Sequence, residues 1–386
     1  MLRTFMNFLK FIVIFSFFII SGCGKSDNNV AFKLRNSGNE VISAERFTLE
    51  KKKGWTEVKI LNPWQGARDV NQKYFLVKRG SDRPEGLDPA LIIYVPIKKI
   101  ICMSTTHVAM ISALNEEKSI VGVSGANFIY STGVNKYIES GSIADVGYEA
   151  NLNKELILKI SPDLIMIYGI GSESAGYVGK IKELGIKVII NADYLETDPL
   201  GRAEWIKLFG ALFCKENLAD SIYKSEVDEY TKMKLFVSKH SMKRPKVMLG
   251  LPFKDTWYVS PGNSFICKLI NDAGGDYLWK DTESSVSLPY GIENVYLKGM
   301  NADYWLNTGT VSTRNEISNM DHRLEDLPSF KNDNLFNNNK RVTIAGGNDF
   351  WESGSLYPHL ILKDIATILH PEIFNDHELT YYRKIY

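Results

Sequence analysis

Of the 386 residues, 44% are hydrophobic and 24% charged, the balance of an ordinary globular protein rather than a disordered or fibrous chain. The 46 basic and 45 acidic side chains leave a formal net charge of +1, so no long-range field draws in nucleic acid and none is expected as a partner. The length exceeds what a single core comfortably fills, and two lobes are expected.

The chain begins with Arg3 and Lys10 and an apolar run, Phe11 to Ile20, interrupted only by Ser16. Ten residues are too few to span a bilayer, and small residues precede Cys23, which is the anatomy of a cleaved export signal. Ile20-Ser21-Gly22-Cys23 resembles the bacterial lipobox, although Leu is preferred where Ile20 stands. That resemblance implies that Cys23 is lipidated and becomes the first residue of a membrane-anchored mature chain. After processing, Cys102, Cys214 and Cys267 remain, an odd set that excludes a disulfide-built scaffold and lacks metal-site spacing.

Lys25 to Asn29 is a polar tether. From Val30 to Tyr94 the pattern alternates, with short β-like runs around Trp55, Val58 and Ile60, at Tyr74 to Val77 and at Leu91 to Val95, broken by Pro63, Pro84, Pro89 and Pro96. From Lys99 onward strands alternate with helices. Ile100 to Met103 is a buried strand followed by a helix through Ala109 to Leu114, and Ile120 to Val123 is the next strand. Asn153 caps a helix through Leu156 to Ile160; Pro162-Asp163 leads into the strand Leu164 to Tyr168. A helix over Gly176 to Leu184 ends at Gly185 before the strand Lys187 to Ile190. Such repeated units predict mainly parallel sheets covered on both faces.

Pro199 to His240 is helical with a break near Cys214 to Asn217. Ile222, Tyr223, Val227, Tyr230 and Met233 share one face of a rod of roughly 35 Å. Strand Lys246 to Gly250, helix Ser264 to Ala273, a helix around Asn294, and strands Asp303 to Leu306 and Arg341 to Ile344 precede a last helix from Leu360 to Leu369. One internal echo organises the chain. Glu155 opens a helix that runs into Pro162-Asp163-Leu164-Ile165, and Glu293 opens one that runs into Ala302-Asp303-Tyr304-Trp305. The expected layout is a signal at 1–22, tether and β-rich extension at 23–97, an α/β lobe at 98–196, linking helices at 197–243 and a second α/β lobe at 244–386.

This organisation resembles the helical-backbone (class III) substrate-binding proteins of ABC importers for iron chelates, haem and vitamin B12. Lys99 to Ser104, Ile120-Val121-Gly122-Val123, Ser161 to Ile165, Pro261-Gly262-Asn263-Ser264, Asp272-Ala273-Gly274-Gly275 and His370-Pro371-Glu372 carry the likeness, in order, over about Lys98 to Glu372. It implies two Rossmann-like lobes joined by a long helix, a ferric chelate, haem or cobalamin held between them, no resident cofactor and no catalysis. It implies as partner a permease dimer with its ATPase, in the inner membrane, and a monomeric, periplasmic, lipid-anchored protein. In the family one exposed Glu on each lobe docks into permease arginines, and Glu155 and Glu293 match those positions; a carboxylate accepts two parallel bonds from a guanidinium. Helix-dipole stabilisation in a first turn is the competing reading for both.

Ligand-binding candidates are Tyr168, at a position that often carries a pocket aromatic, and Tyr194, Arg202 and Trp205, where the chain leaves lobe one. Trp257 after the first lobe-two strand and Trp351-Glu352 after Gly346-Gly347-Asn348 join them; a core or rim position competes for each aromatic. His107 and Tyr130 stand apart because an axial haem ligand would be His or Tyr, against a structural histidine. Gly169-Ile-Gly171 with Gly176 has the wrong spacing for a dinucleotide loop. Two rivals are an exported α/β enzyme acting on a tetrapyrrole or chelate, and a scavenging surface lipoprotein that works without a permease.

Overall fold

The computed structural model describes residues 41–148, 151–169, 179, 181–374 and 377–386. Cys23, the tether and four of the nine residues of the helix expected over Gly176 to Leu184 (176–178 and 180) lie outside them. Four strands open the described chain: β1 (Phe47–Lys52), β2 (Trp55–Leu61), β3 (Asn71–Lys78) and β4 (Ile92–Val95). They form one sheet in that order, antiparallel except for the parallel β3–β4 pair. One face of this sheet carries a small cluster of its own, Phe75, Val77 and Ile92 with Trp55 and Leu91 packed against it, and the other joins the main core. Phe47, Val58, Ile60, Leu76 and Ile93 belong to the same buried cluster as lobe-one and linking-helix residues, including Val108 and Phe209.

Lobe one is built from β5 (Ile100–Cys102), helix α1 (Thr105–Ala113), β6 (Ile120–Val123), α2 (Thr132–Glu139), β7 (Ala144–Asp145), α3 (Lys154–Ile160), β8 (Leu164–Tyr168) and β9 (Val188–Asn191). The sheet order is β7-β6-β5-β8-β9, all parallel. Leu164 to Ile167 is wholly buried, as expected of a parallel strand covered on both faces. The Asn153 side chain caps α3 through the Leu156 amide at 2.9 Å.

The linking segment comprises α4 (Pro199–Glu204), α5 (Ile206–Phe213) and the 25-residue α6 (Glu216–His240). Cys214, at φ 55°, makes the break before α6. Tyr223 and Tyr230 are buried and Ile222, Val227 and Met233 partly so, as the one-face pattern predicts. The buried Glu226 on this stripe accepts from the His359 backbone N–H at 2.9 Å and lies 2.6 Å from its Nδ1, tying α6 to lobe two.

Lobe two contains β10 (Lys246–Leu249), β11 (Pro252–Phe253), β12 (Thr256–Val259), α7 (Phe265–Asp272), β13 (Asp276–Tyr277), β14 (Leu288–Gly291), α8 (Ile292–Gly299), β15 (Tyr304–Leu306), β16 (Leu335–Asn337), α9 (Asp349–Glu352), α10 (Pro358–Leu369) and β17 (Arg383–Lys384). Its main sheet runs β13-β10-β15-β16-β17, parallel except at β17, and β11-β12-β14 form a small antiparallel sheet.

The internal echo extends to hydrogen bonds. In lobe one the Asp163 carboxylate accepts from the backbone N–H groups of Lys98 and Lys99, just before the central strand β5. In lobe two the Asp303 carboxylate accepts from the Lys246 N–H at the start of β10. Equivalent aspartates therefore pin equivalent strands in the two lobes. Cys102 and Cys267 are buried and Cys214 exposed, all as free thiols.

Arg341 to Ile344 is not the strand its alternation predicts; Leu335–Asn337 takes that place. The later segment makes a bridge between Val342 and Asn348 and exposes Ile344 fully. Its Thr343 hydroxyl donates instead to the Asn127 carbonyl of lobe one, at 2.9 Å.

Candidate functional site

Two junctions join the lobes. At the first, the Glu352 carboxylate accepts the backbone N–H groups of Tyr130 (2.7 Å) and Ser131 (2.8 Å), directly before α2. Beside it Arg341 sits over the Tyr130 ring, 5.2 Å from its centroid, and pairs with Asp349 at 3.0 Å. Gly347 lies flat on the Phe128 backbone, where any Cβ would fall 2.1 Å from the Phe128 carbonyl oxygen. Only glycine fits that approach. Tyr130 and Glu352 are thus brought together in a clasp between the lobes.

Burial pushes the Glu352 carboxyl up to about 7, with the Tyr130 and Ser131 amides opposing the shift. A carboxyl whose folded pKa lies above its unfolded value stabilises most at pH below the unfolded value. That contribution fades as pH rises from about 4.5 to 7, and is of order 3 kcal/mol. Thermal melts should show Glu352→Gln losing this part of the pH dependence; parallel wild-type and variant curves would contradict it.

The second junction encloses a cavity of about 300 Å³. Tyr194 and Glu196 line it from lobe one, Arg202 from the linking helix α4, the 260–265 turn and the 284–287 segment from lobe two, and Arg46 and Gln65 from the N-terminal extension. The half-buried Arg202 guanidinium donates to the carbonyls of Tyr194 (2.8 Å) and Glu196 (3.1 Å) and stacks 3.9 Å from the Phe265 ring centre. Burial lowers its pKa to about 10, against Asp193 and Glu196, so it stays charged at neutral pH. The Tyr194 hydroxyl donates to the Gly169 carbonyl and is pushed up to about 12, chiefly by burial.

Other candidates stand elsewhere. Trp205 is fully buried, its indole N–H on Glu196 (3.1 Å) and its ring 4.6 Å from Phe47, because the extension covers it. Trp257 is also core: its N–H donates to the Leu249 carbonyl while Trp305 donates to that of Gly250, so the two indoles hold the end of β10. His107 is buried inside α1, 6.2 Å from Phe209. Desolvation depresses its pKa to about 3 despite the Met166 carbonyl, which leaves it neutral and away from the cavity. Trp351 is 48% exposed and packs edge-on against Phe350, outside the cavity lining. Tyr168 ends β8, immediately before a segment outside the described residues.

Sequence reasoning missed Arg46, Gln65 and the serines at 284–287. The Ser284-Ser285 pair ahead of the strand at Leu288 was the available signal; nothing local marks Gln65. Glu155 and Glu293 are both exposed, each in the first turn of its helix, and Glu293 lies 3.6 Å from Arg323.

Two Rossmann-like lobes with mainly parallel sheets, joined through a long helix and enclosing a cavity, define a class III substrate-binding protein. Residues 100–344 match the periplasmic binding protein family, and the chain belongs to it. An uncharacterized lipoprotein of Methanocaldococcus jannaschii is 30% identical over 347 residues, covering 84% of this chain and 81% of its own. Among solved structures, a periplasmic heme binding protein from Pseudomonas aeruginosa superposes with TM-score 0.58 at 13% identity, covering 75% of this chain and 98% of that one. A possible iron-binding periplasmic solute-binding protein from Staphylococcus epidermidis gives 0.55 at 20% identity, over 71% and 99%.

Proposed function

We propose that this chain is the substrate-binding component of an ABC importer, capturing a metal chelate between its lobes and delivering it to a membrane permease. The candidate cargoes are a ferric siderophore, haem or cobalamin. The observation that carries this reading is the cavity whose walls come from both lobes, on a fold of the binding-protein family. Two exposed acids at echoed positions support docking: Glu155 on lobe one and Glu293 on lobe two would each take a permease arginine.

Cys23 would carry the lipid anchor, in keeping with the lipoprotein name of the relative. About 18 residues separate it from Val41. Fully extended they reach about 60 Å, enough to hold the lobes close to a permease in the same membrane and raise the local concentration there. The partner ATPase supplies the energy, and the binding protein turns nothing over.

Titrating the mature protein with haemin, cyanocobalamin and ferric siderophores, followed by ligand absorbance and tryptophan fluorescence, tests the reading. One ligand should bind per chain without chemical change. Catalytic turnover of a bound chelate would favour the enzyme instead.

A further inference from the structure

The family match begins at residue 100, and the P. aeruginosa protein is matched almost whole while a quarter of this chain finds no counterpart in it. The extension is thus an addition to the common core. Its 62–70 loop closes on itself: the Asn62 N–H donates to the Val70 carbonyl at 2.7 Å, and the Val70 N–H to the Asn62 side chain at 3.0 Å. Asn62 takes a positive φ of 46° to start the turn, which asparagine tolerates better than most residues. Within the loop, Trp64 packs against the lobe-one cluster that contains Ile101, Val146 and Ile165. That anchor leaves the neighbouring Gln65 facing the cavity. Its side-chain amide crosses to lobe two and donates to the Ser285 carbonyl at 2.8 Å.

Arg46 lines the same cavity, held in place from behind. Its backbone N–H and that of Glu45 both donate to the Glu196 carboxylate, which also takes the Trp205 indole, so this acid, itself part of the lining, is engaged by three donors. The charged residues of the lining are Arg46 and Arg202 against the single, already engaged Glu196. The serine-rich 284–287 segment and the start of α7, where Ser264 caps the helix, complete it. Leu195, Pro261, Phe265 and Val286 supply apolar wall, and the polar share comes from the two guanidiniums, the Gln65 amide and the serines. Such a lining recognises oxygen acceptors carrying negative charge.

We propose that the 62–70 loop is a strap forming a third wall of the ligand cleft, and that Gln65 and Arg46 select an anionic, oxygen-rich chelate. The inference rests on the cavity being the ligand site, and adds that the extension, rather than the two lobes alone, sets specificity. Gln65 links the strap to lobe two through Ser285, and from that position its amide is within reach of a ligand in the cleft.

The test uses the full mature chain, as wild type, Gln65→Ala, Gln65→Glu and Arg46→Gln, titrated with ferric citrate, a ferric catecholate chelate, haemin and cyanocobalamin at several salt concentrations. An anionic chelate should bind wild type. Arg46→Gln should weaken it about tenfold and flatten the dependence of log Kd on log salt, whereas a purely structural role would leave that slope unchanged. Gln65→Glu should weaken it more than Gln65→Ala, because a carboxylate there repels the ligand. Tight binding of any probe with no dependence on Gln65 or Arg46 overturns the strap and leaves the transport reading standing. Binding of no probe to wild type overturns both.

Discussion

Replacing Glu155 and Glu293 together by alanine should cut uptake to background while ligand affinity and thermal stability stay at wild-type values. Both side chains are exposed, and among the described residues the ion partner of Glu293 is Arg323, 3.6 Å away with half its side chain in solvent. Exposed substitutions of this kind move stability by no more than about 0.5 kcal/mol. Desolvated on a permease, each carboxylate–guanidinium pair can contribute about 2 kcal/mol or more, so losing two weakens docking by roughly 10³-fold. Each single variant should show an intermediate loss. Uptake that survives the double change would remove the docking role from both residues, and would favour a lipoprotein that scavenges without a permease. The measurement is whole-cell uptake of the bound chelate beside a binding isotherm and a melt of the purified variant.

Glu204→Ala should release the start of the extension. This fully buried carboxylate accepts the backbone N–H groups of Ile42 (2.9 and 3.0 Å), Ser43 (2.6 Å) and Ala44 (2.9 Å), and pairs with Lys207 at 2.7 Å. Alanine would leave three amides without this acceptor and remove the carboxylate from a buried ion pair. Breaking a buried pair on one side costs about 3–5 kcal/mol. The segment can relieve that cost by moving away from α4 and rehydrating its amides. Hydrogen exchange at Ile42 to Ala44 should therefore accelerate sharply and the urea midpoint fall. Since Arg46 lies two residues beyond Ala44, affinity for an anionic chelate should fall as well. Unchanged protection of these amides would show that the anchor lies elsewhere, for instance in the Phe47–Trp205 contact.

Local chemistry made much of this molecule readable from its chain. The strand Leu164 to Tyr168, the Asn153 cap, the helix break at Cys214 and the one-sided stripe of Tyr223 and Tyr230 all follow from short-range rules: apolar runs, side-chain caps and helical period. The echo of Asp163 and Asp303 was visible as pattern, and each proves to hold the backbone at the entry to an interior strand, β5 or β10. Arg341 to Ile344 departs from its alternating pattern because alternation describes a strand only when a sheet edge is available. Here lobe one, through Asn127 and Phe128, claims the segment instead.

The cleft belongs to the other category. Trp205 looks like a ligand aromatic and Gln65 like nothing at all, yet the first is core and the second faces the cavity. The difference turns on where a sheet some hundred residues earlier in the chain docks, and no local pattern encodes that. Residues 130 and 352 meet for the same reason: a clasp made of two backbone N–H groups and one carboxylate needs both lobes in place before either half has a partner. Lobe repeat and linking helix are short-range properties and could be read along the chain. Which side chains face a ligand is a property of surfaces brought together, and only the folded arrangement decides it.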